Sequence, residues 1–173
     1  MKKIFLTTSY FILAFSILGQ INIPTNSSEN TRVSNWIVAK VSDFQDEKIE
    51  NILNNPLDFY NNVPSGNLKE LNLSDYNDVT IALYQLYKEI DYKTTFISTC
   101  EIELNNDQLC GFEFSNISMD ATLFINSEKA FSSRGKRIIN FEKNLKKGKN
   151  KILLIGKPTG EFLSSFFLKY YLL

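Results

Sequence analysis

From Thr80 onward this 173-residue chain is a succession of short β-prone runs, each closed by turn-forming residues, and that rhythm restricts the fold more than any other feature. The runs are Thr80 to Tyr87, Tyr92 to Leu104, Leu109 to Phe114, Ala121 to Ile125, Arg137 to Phe141, Lys151 to Ile155 and Phe162 to Leu172. Between them lie Asn105-Asn106-Asp107, Asn126-Ser127 and Lys147-Gly148-Lys149-Asn150. Strands this short, alternating with turn residues, predict an antiparallel sandwich or barrel. At 43% hydrophobic and 22% charged residues, the chain can bury a core without a disulfide framework. Thr80 to Ile90 is ambiguous, because Ile81, Leu83 and Tyr87 suit a strand or a short helix.

The first half reads differently. Met1-Lys2-Lys3 and the mostly apolar run Ile4 to Leu18 have the form of a secretory signal peptide, ending near Gly19. The run is shorter than the roughly 20 apolar residues a spanning helix needs, so no stable membrane span is expected once it is cleaved. No cysteine follows it to accept a lipid, so a secreted or periplasmic product is expected. Residues 20–31 are Asn/Ser/Thr-rich and predict a flexible leader, leaving residues 32–173 as one folded domain. Val33 to Val41 contains the single tryptophan, Trp36, and reads as a first strand whose indole belongs to the core. Ser42-Asp43-Phe44-Gln45 has the pattern of a capping box, predicting one short helix through Leu53 that Asn54-Asn55-Pro56 stops. Residues 54–78 are then expected to be loop, with one brief strand around Leu68 to Leu73.

Composition excludes several chemistries. The chain has no histidine, which removes imidazole acid/base catalysis, serine and cysteine nucleophile systems built on it, and imidazole-ligated metals. Basic and acidic residues balance at 19 each, which disfavours a nucleic-acid partner. Loss of Lys2 and Lys3 with the leader would leave 17 basic against 19 acidic residues, a mild −2. Asp43, Asp46, Glu47 and Glu50 are better read as a solvated helix start, where the macrodipole favours acids, than as a glycosidase pair. No enzymatic activity and no cofactor are expected.

A more specific pattern runs from Tyr92 to Leu172. A leading strand, Tyr92-Lys93-Thr94-Thr95-Phe96-Ile97, is followed by Leu123-Phe124-Ile125-Asn126-Ser127-Glu128-Lys129, by a strand at Ile138 to Phe141, and by Leu145-Lys146-Lys147-Gly148-Lys149-Asn150-Lys151-Ile152-Leu153-Leu154-Ile155. In its order of features this resembles the galactose-binding-like jelly roll, the carbohydrate-binding-module-like domain of secreted bacterial proteins. Trp36-Ile37-Val38 is similar to that family's tryptophan-bearing first strand. The resemblance implies an all-β, jelly-roll-like sandwich, carbohydrate binding through loops at one end, and no catalysis. Three departures stand out: Ser127 replaces the family's turn glycine, Ala39-Lys40-Val41 replaces its "GPF", and Ser115-Asn116-Ile117-Ser118-Met119-Asp120 replaces its acidic loop. The alternative role for the same fold is a protein-interaction or structural subunit of a secreted or envelope complex.

Candidate ligand residues follow from accessible rings and polar turn groups: Tyr60, Tyr92 and Phe131 for stacking, with Asn126, Arg134 and Lys136 for hydrogen bonds. Arg134 to Lys151 carries eight basic residues against Glu142, a segment suited either to an anionic glycan or simply to soluble turns and protected edges. Cys100 and Cys110 flank Asn105 symmetrically; a hairpin centred there would place them opposite each other, as a disulfide or as two buried thiols. Asp107 and Asp120 are the candidate ligands for a structural Ca²⁺, without EF-hand spacing.

Overall fold

A computed structural model describes residues 31–32, 35–72, 80–115, 117–134, 137–159 and 164–173. The expected signal peptide, the leader up to residue 30, and Lys136 lie outside the described residues. Two antiparallel sheets face each other. The strands are β1 (Thr31–Arg32), β2 (Asn35–Ser42), β3 (Leu68–Asn72), β4 (Ile81–Ala82), β5 (Thr94–Leu104), β6 (Gln108–Ser115), β7 (Met119–Ile125), β8 (Glu128–Ser133), β9 (Ile139–Leu145), β10 (Gly148–Pro158) and β11 (Ser165–Leu172). The six-stranded sheet runs β3-β2-β5-β10-β7-β8; the five-stranded sheet runs β1-β11-β6-β9, with β4 also on β11. The all-β sandwich expected from the strand rhythm is therefore present.

Between the sheets, alternate residues of each strand meet: Trp36, Phe96, Ile102, Leu123, Ile152 and Leu154 from one side, and Phe112, Phe114, Phe166 and Leu168 from the other. Trp36 meets Phe166 edge-on at 5.0 Å, and Phe112 stacks on Phe141 at 4.9 Å, geometries that add to the area these rings bury. Among the described residues, the Ser98 hydroxyl in this core has no hydrogen-bond partner.

The outer face of the six-stranded sheet is also covered. Helices α1 (Ile49–Asn54) and α2 (Pro56–Asn61) lay Ile52, Leu53, Phe59 and Tyr60 on Ile37, Ala39, Ile97, Leu153 and Ile155, forming a second core. This double burial is why β5 is buried without interruption from Thr94 to Ser98 and β10 from Ile152 to Gly156, instead of alternating as they do toward Leu104 and Gly148. The sequence predicts a single short helix; the described residues include α1, α2 and α3 (Leu83–Leu86), with two 3₁₀ turns. The capping box is not used, because Ser42 ends β2 and α1 begins at Ile49 without a side-chain cap. Asn55-Pro56, expected to stop a helix, instead starts α2: Asn55 Oδ1 accepts from the Asp58 amide and Pro56 occupies the first turn, where a missing N–H costs nothing. The ambiguous Thr80 region contains both alternatives, β4 followed directly by α3. β8 was not anticipated, since its run, Glu-Lys-Ala-Phe-Ser-Ser, is largely polar.

The turn chemistry fixes one end of the six-stranded sheet. Asn126 and Ser127 both have positive φ, 49° and 69°, the geometry of the tight two-residue turn that joins β7 to β8. Gly148 starts β10 at φ 91°. Asn150, fully buried, accepts from the Lys146 amide and from Asn126 Nδ2, and donates to the Lys146 and Gly148 carbonyls. Asn126 Oδ1 in turn accepts from the Lys151 amide at 2.9 Å. Since serine adopts a left-handed conformation less readily than glycine, Ser127→Gly is expected to raise stability by about 0.5–1 kcal/mol, read as a higher urea midpoint at unchanged slope.

Candidate functional site

A groove of about 900 Å³ lies on the outer face of the six-stranded sheet, where the α1–α2 layer ends and the strands run on past it. Its wall is the helix junction Asn54-Asn55-Pro56-Leu57, and its floor is the outward row of β3, β2, β5 and β10. Near the helices the floor is apolar, with Ile37 and Leu153; farther out it becomes a charge ladder in which Glu103 faces Lys149 and Glu101 faces Lys151. Lys149 Nζ also reaches Glu101 diagonally at 2.9 Å, and this carboxylate raises the lysine's pKa. Asn35, Asn72 and Glu70 line the β2–β3 side, and Ser127 of the β7–β8 turn closes the far side. From β3 to β7 the floor spans about 19 Å at roughly 4.8 Å per strand. Chemically, the groove offers amides, carboxylates and ammonium groups beside a small apolar patch.

Of the described ligand residues singled out from sequence, Tyr60 lines the groove, while Tyr92, Asn126, Phe131 and Arg134 do not. Tyr60, expected from sequence to be an accessible ring, is 5% exposed, turned inward from α2 onto the sheet. Its hydroxyl hydrogen-bonds with Thr99 Oγ1 at 2.9 Å and donates to the Ile37 carbonyl at 3.4 Å, and burial pushes its pKa well up. Phe131 is also not an open ring: it packs against Phe114 and Phe141 at the margin of the inter-sheet core. Tyr92 is the ring that does stand out, 86% exposed, on a turn held by Asp91, whose carboxylate accepts from Thr94 Oγ1 and the Lys93 amide. Arg134, exposed, lies at that same end of the sheet but three strands away from β5, while Asn126 is at the opposite end with its amide committed to Asn150 and Lys151. Sequence reasoning missed the groove because its lining comes from strands and helices far apart in the chain. The one local signal was the outward Glu/Lys alternation in Glu101–Glu103 and Lys149–Lys151.

Cys100 and Cys110 are free, buried thiols, their pKa values raised by burial. The expected hairpin is absent: β5 belongs to the six-stranded sheet and β6 to the five-stranded one, so the segment at Asn105 crosses between layers instead of pairing its flanks. Asp107 and Asp120 cannot share an ion, because Asp107 follows the end of β5 that pairs with Gly148, while Asp120 pairs with Lys157 at the other end of β10. Nine residues of strand, about 30 Å, separate those two levels. Among the described residues no group of three carboxylates or thiols could hold a metal. The basic segment is partly neutralised, with Lys143 on Glu128, Lys146 on Asp107 and Lys149 on Glu101.

No family model matches the chain, and no curated protein matches it. Solved structures do. A β-glucosidase from Kluyveromyces marxianus, in complex with glucose, aligns over 80% of this chain at 13% identity and a TM-score of 0.53. A β-glucuronidase from Ruminococcus gnavus, in complex with D-glucuronic acid, aligns over 84% at 15% identity and 0.46. The chain corresponds to 16% of the length of the first and 30% of the second. The likeness to the β-glucosidase is one of fold.

Two outcomes are expected of Tyr60 and Asp107. Tyr60→Phe removes the bond to Thr99 and should lower unfolding free energy by about 1 kcal/mol in a denaturant titration. Asp107 has its carboxyl held below the ordinary 3.8, first by the Lys147 amide and then by Lys146. A depressed carboxyl stabilises fully above its unfolded pKa and loses that contribution as pH falls through the folded value. Asp107→Asn should therefore flatten the fall in melting temperature below about pH 4 while leaving the neutral-to-basic limb parallel to wild type.

Proposed function

We propose that this chain is an exported, non-catalytic module with a jelly-roll-like sandwich that binds carbohydrate in the groove beside α1–α2. The observation that carries the reading is the groove's composition. Asparagine amides and glutamate carboxylates hydrogen-bond sugar hydroxyls, and the neighbouring Ile37, Leu153 and Leu57 give the C–H face of a pyranose an apolar surface. Leu57 is 68% exposed on the groove wall, a position a ligand would cover. The fold shared with part of a β-glucosidase supports the carbohydrate assignment, and the amino-terminal signal-like segment supports export. The absence of histidine from the whole chain supports a binding rather than a catalytic role.

The test is a glycan microarray probed with protein recovered from the periplasm or medium, with calcium and again with EDTA. Binding is expected to be selective and unchanged by EDTA. Asn35→Ala combined with Glu103→Ala should weaken it about tenfold, the effect of losing one or two polar contacts. A blank array on folded protein would overturn the carbohydrate reading in favour of a secreted or envelope protein partner, and amino-terminal sequencing of the recovered protein checks cleavage after Gly19.

A further inference from the structure

The other sheet has an outer face of different character. On it β11 presents Phe167, Lys169 and Tyr171, β6 presents Gly111 and Glu113, and β9 presents Asn140 and the exposed Glu142, the latter directly beside Gly111, since the alternate residues Phe112, Phe114, Phe166, Leu168 and Tyr170 fill the core. Tyr171 and Gly111 are direct cross-strand partners. A Cβ on Gly111 would sit 2.2 Å from Tyr171 Cε2, 2.3 Å from Cζ and 2.7 Å from the hydroxyl oxygen. The outer end of the ring therefore lies down across β6, in space that any larger residue at position 111 would occupy. A tyrosine in the middle of a sheet face would otherwise stand up from it. Laid over a glycine, it covers backbone with one face and remains partly exposed.

Four residues earlier on the same strand, about 13 Å away, Phe167 is also partly exposed on this face. Between the two rings Lys169 and Glu113 pair at 2.9 Å, each side chain about 30% exposed or less, so these two charges offset each other. Asn140 is exposed beside Glu113 in the same register. A flat ring, a second ring along the strand, an ion pair and an asparagine between them, and the Glu142 carboxylate beside Gly111 match an uncharged, extended chain of pyranoses: its C–H faces suit the rings, its hydroxyls can donate to the carboxylate, and an anionic chain would be repelled by it.

We propose that this face is a second carbohydrate-contact surface, a platform for a neutral, extended glycan centred on the Tyr171 ring. It rests on the carbohydrate reading above but uses no residue of the groove. The test is depletion binding of the full chain to insoluble cellulose, β-1,3-glucan, xylan and neutral galactan. Tyr171→Ala, and Tyr171→Leu, which keeps apolar cover over Gly111 without a ring, should each weaken binding on the order of tenfold, as expected for losing one aromatic contact. Tyr171→Phe should stay within about twofold of wild type, and the Asn35/Glu103 groove variant should keep measurable binding to the same solids. Circular dichroism melts establish that each variant is folded. Wild-type affinity in both Tyr171→Ala and Tyr171→Leu overturns the platform and leaves the groove reading standing. Failure of the wild-type chain to bind any of the four solids overturns the platform whatever the microarray shows.

Discussion

The pairing of β5 with β10 is the constraint on which the rest of the molecule depends. These two central strands are buried on both faces over much of their length: Phe96, Cys100, Ile102, Ile152 and Leu154 point into the inter-sheet core, while Ile97, Leu153 and Ile155 point the other way. A sheet with apolar residues on both faces must be covered on both. The second sheet supplies one cover, and α1 with α2 supplies the other. The helices are too short to cover the whole face, and where their cover stops the outward residues change to Glu101, Glu103, Lys149 and Lys151. The groove is the step between the covered and uncovered parts of one sheet face.

The end of the sheet beside that step is held by polar groups rather than by packing. Asn150 satisfies backbone groups of the β9–β10 turn and ties them through Asn126 to the β7–β8 turn, with Asp107 holding Lys146 and Lys147 from the β5–β6 crossing. Removal of a buried amide with several partners leaves each of them unsatisfied in a low-dielectric setting, which costs more than any single bond contributes. Ser127, a lining residue of the groove, sits on this clasp. The position of the far wall is thus decided by side-chain hydrogen bonding between turns, while the near wall is decided by hydrophobic contact of the helices.

The two outer faces show how one fold produces different surfaces. On the six-stranded sheet a helical layer leaves a concave, mixed-charge site. On the five-stranded sheet the glycine at position 111 lets Tyr171 lie flat, giving a planar surface with an ion pair at its centre. Neither property belongs to a loop, and Tyr92, the ring most exposed at a loop tip, stands apart from both.

What the sequence determined by itself was local. Turn chemistry and β-prone runs located most strands, and Trp36 was legible as core because it sits in an apolar run. Gly148 was legible as a turn residue, since only glycine adopts its φ without strain. The polar strand β8 and the Asn55-Pro56 helix start were missed, the first because its pairing with β7 outweighs weak propensity, the second because Asn-Pro both ends and begins helices. Pairing and layer assignment belonged to tertiary structure alone. They put Cys100 and Cys110 in different sheets, turned Tyr60 from its helix onto the sheet, separated Asn126 from Arg134 by the length of a strand, and brought residues from positions 35 to 153 into one groove. Sequence spacing fixes which face of its own strand a side chain occupies. Which strand lies alongside, and what covers that face, depends on contacts between distant segments, and those contacts are what make a site.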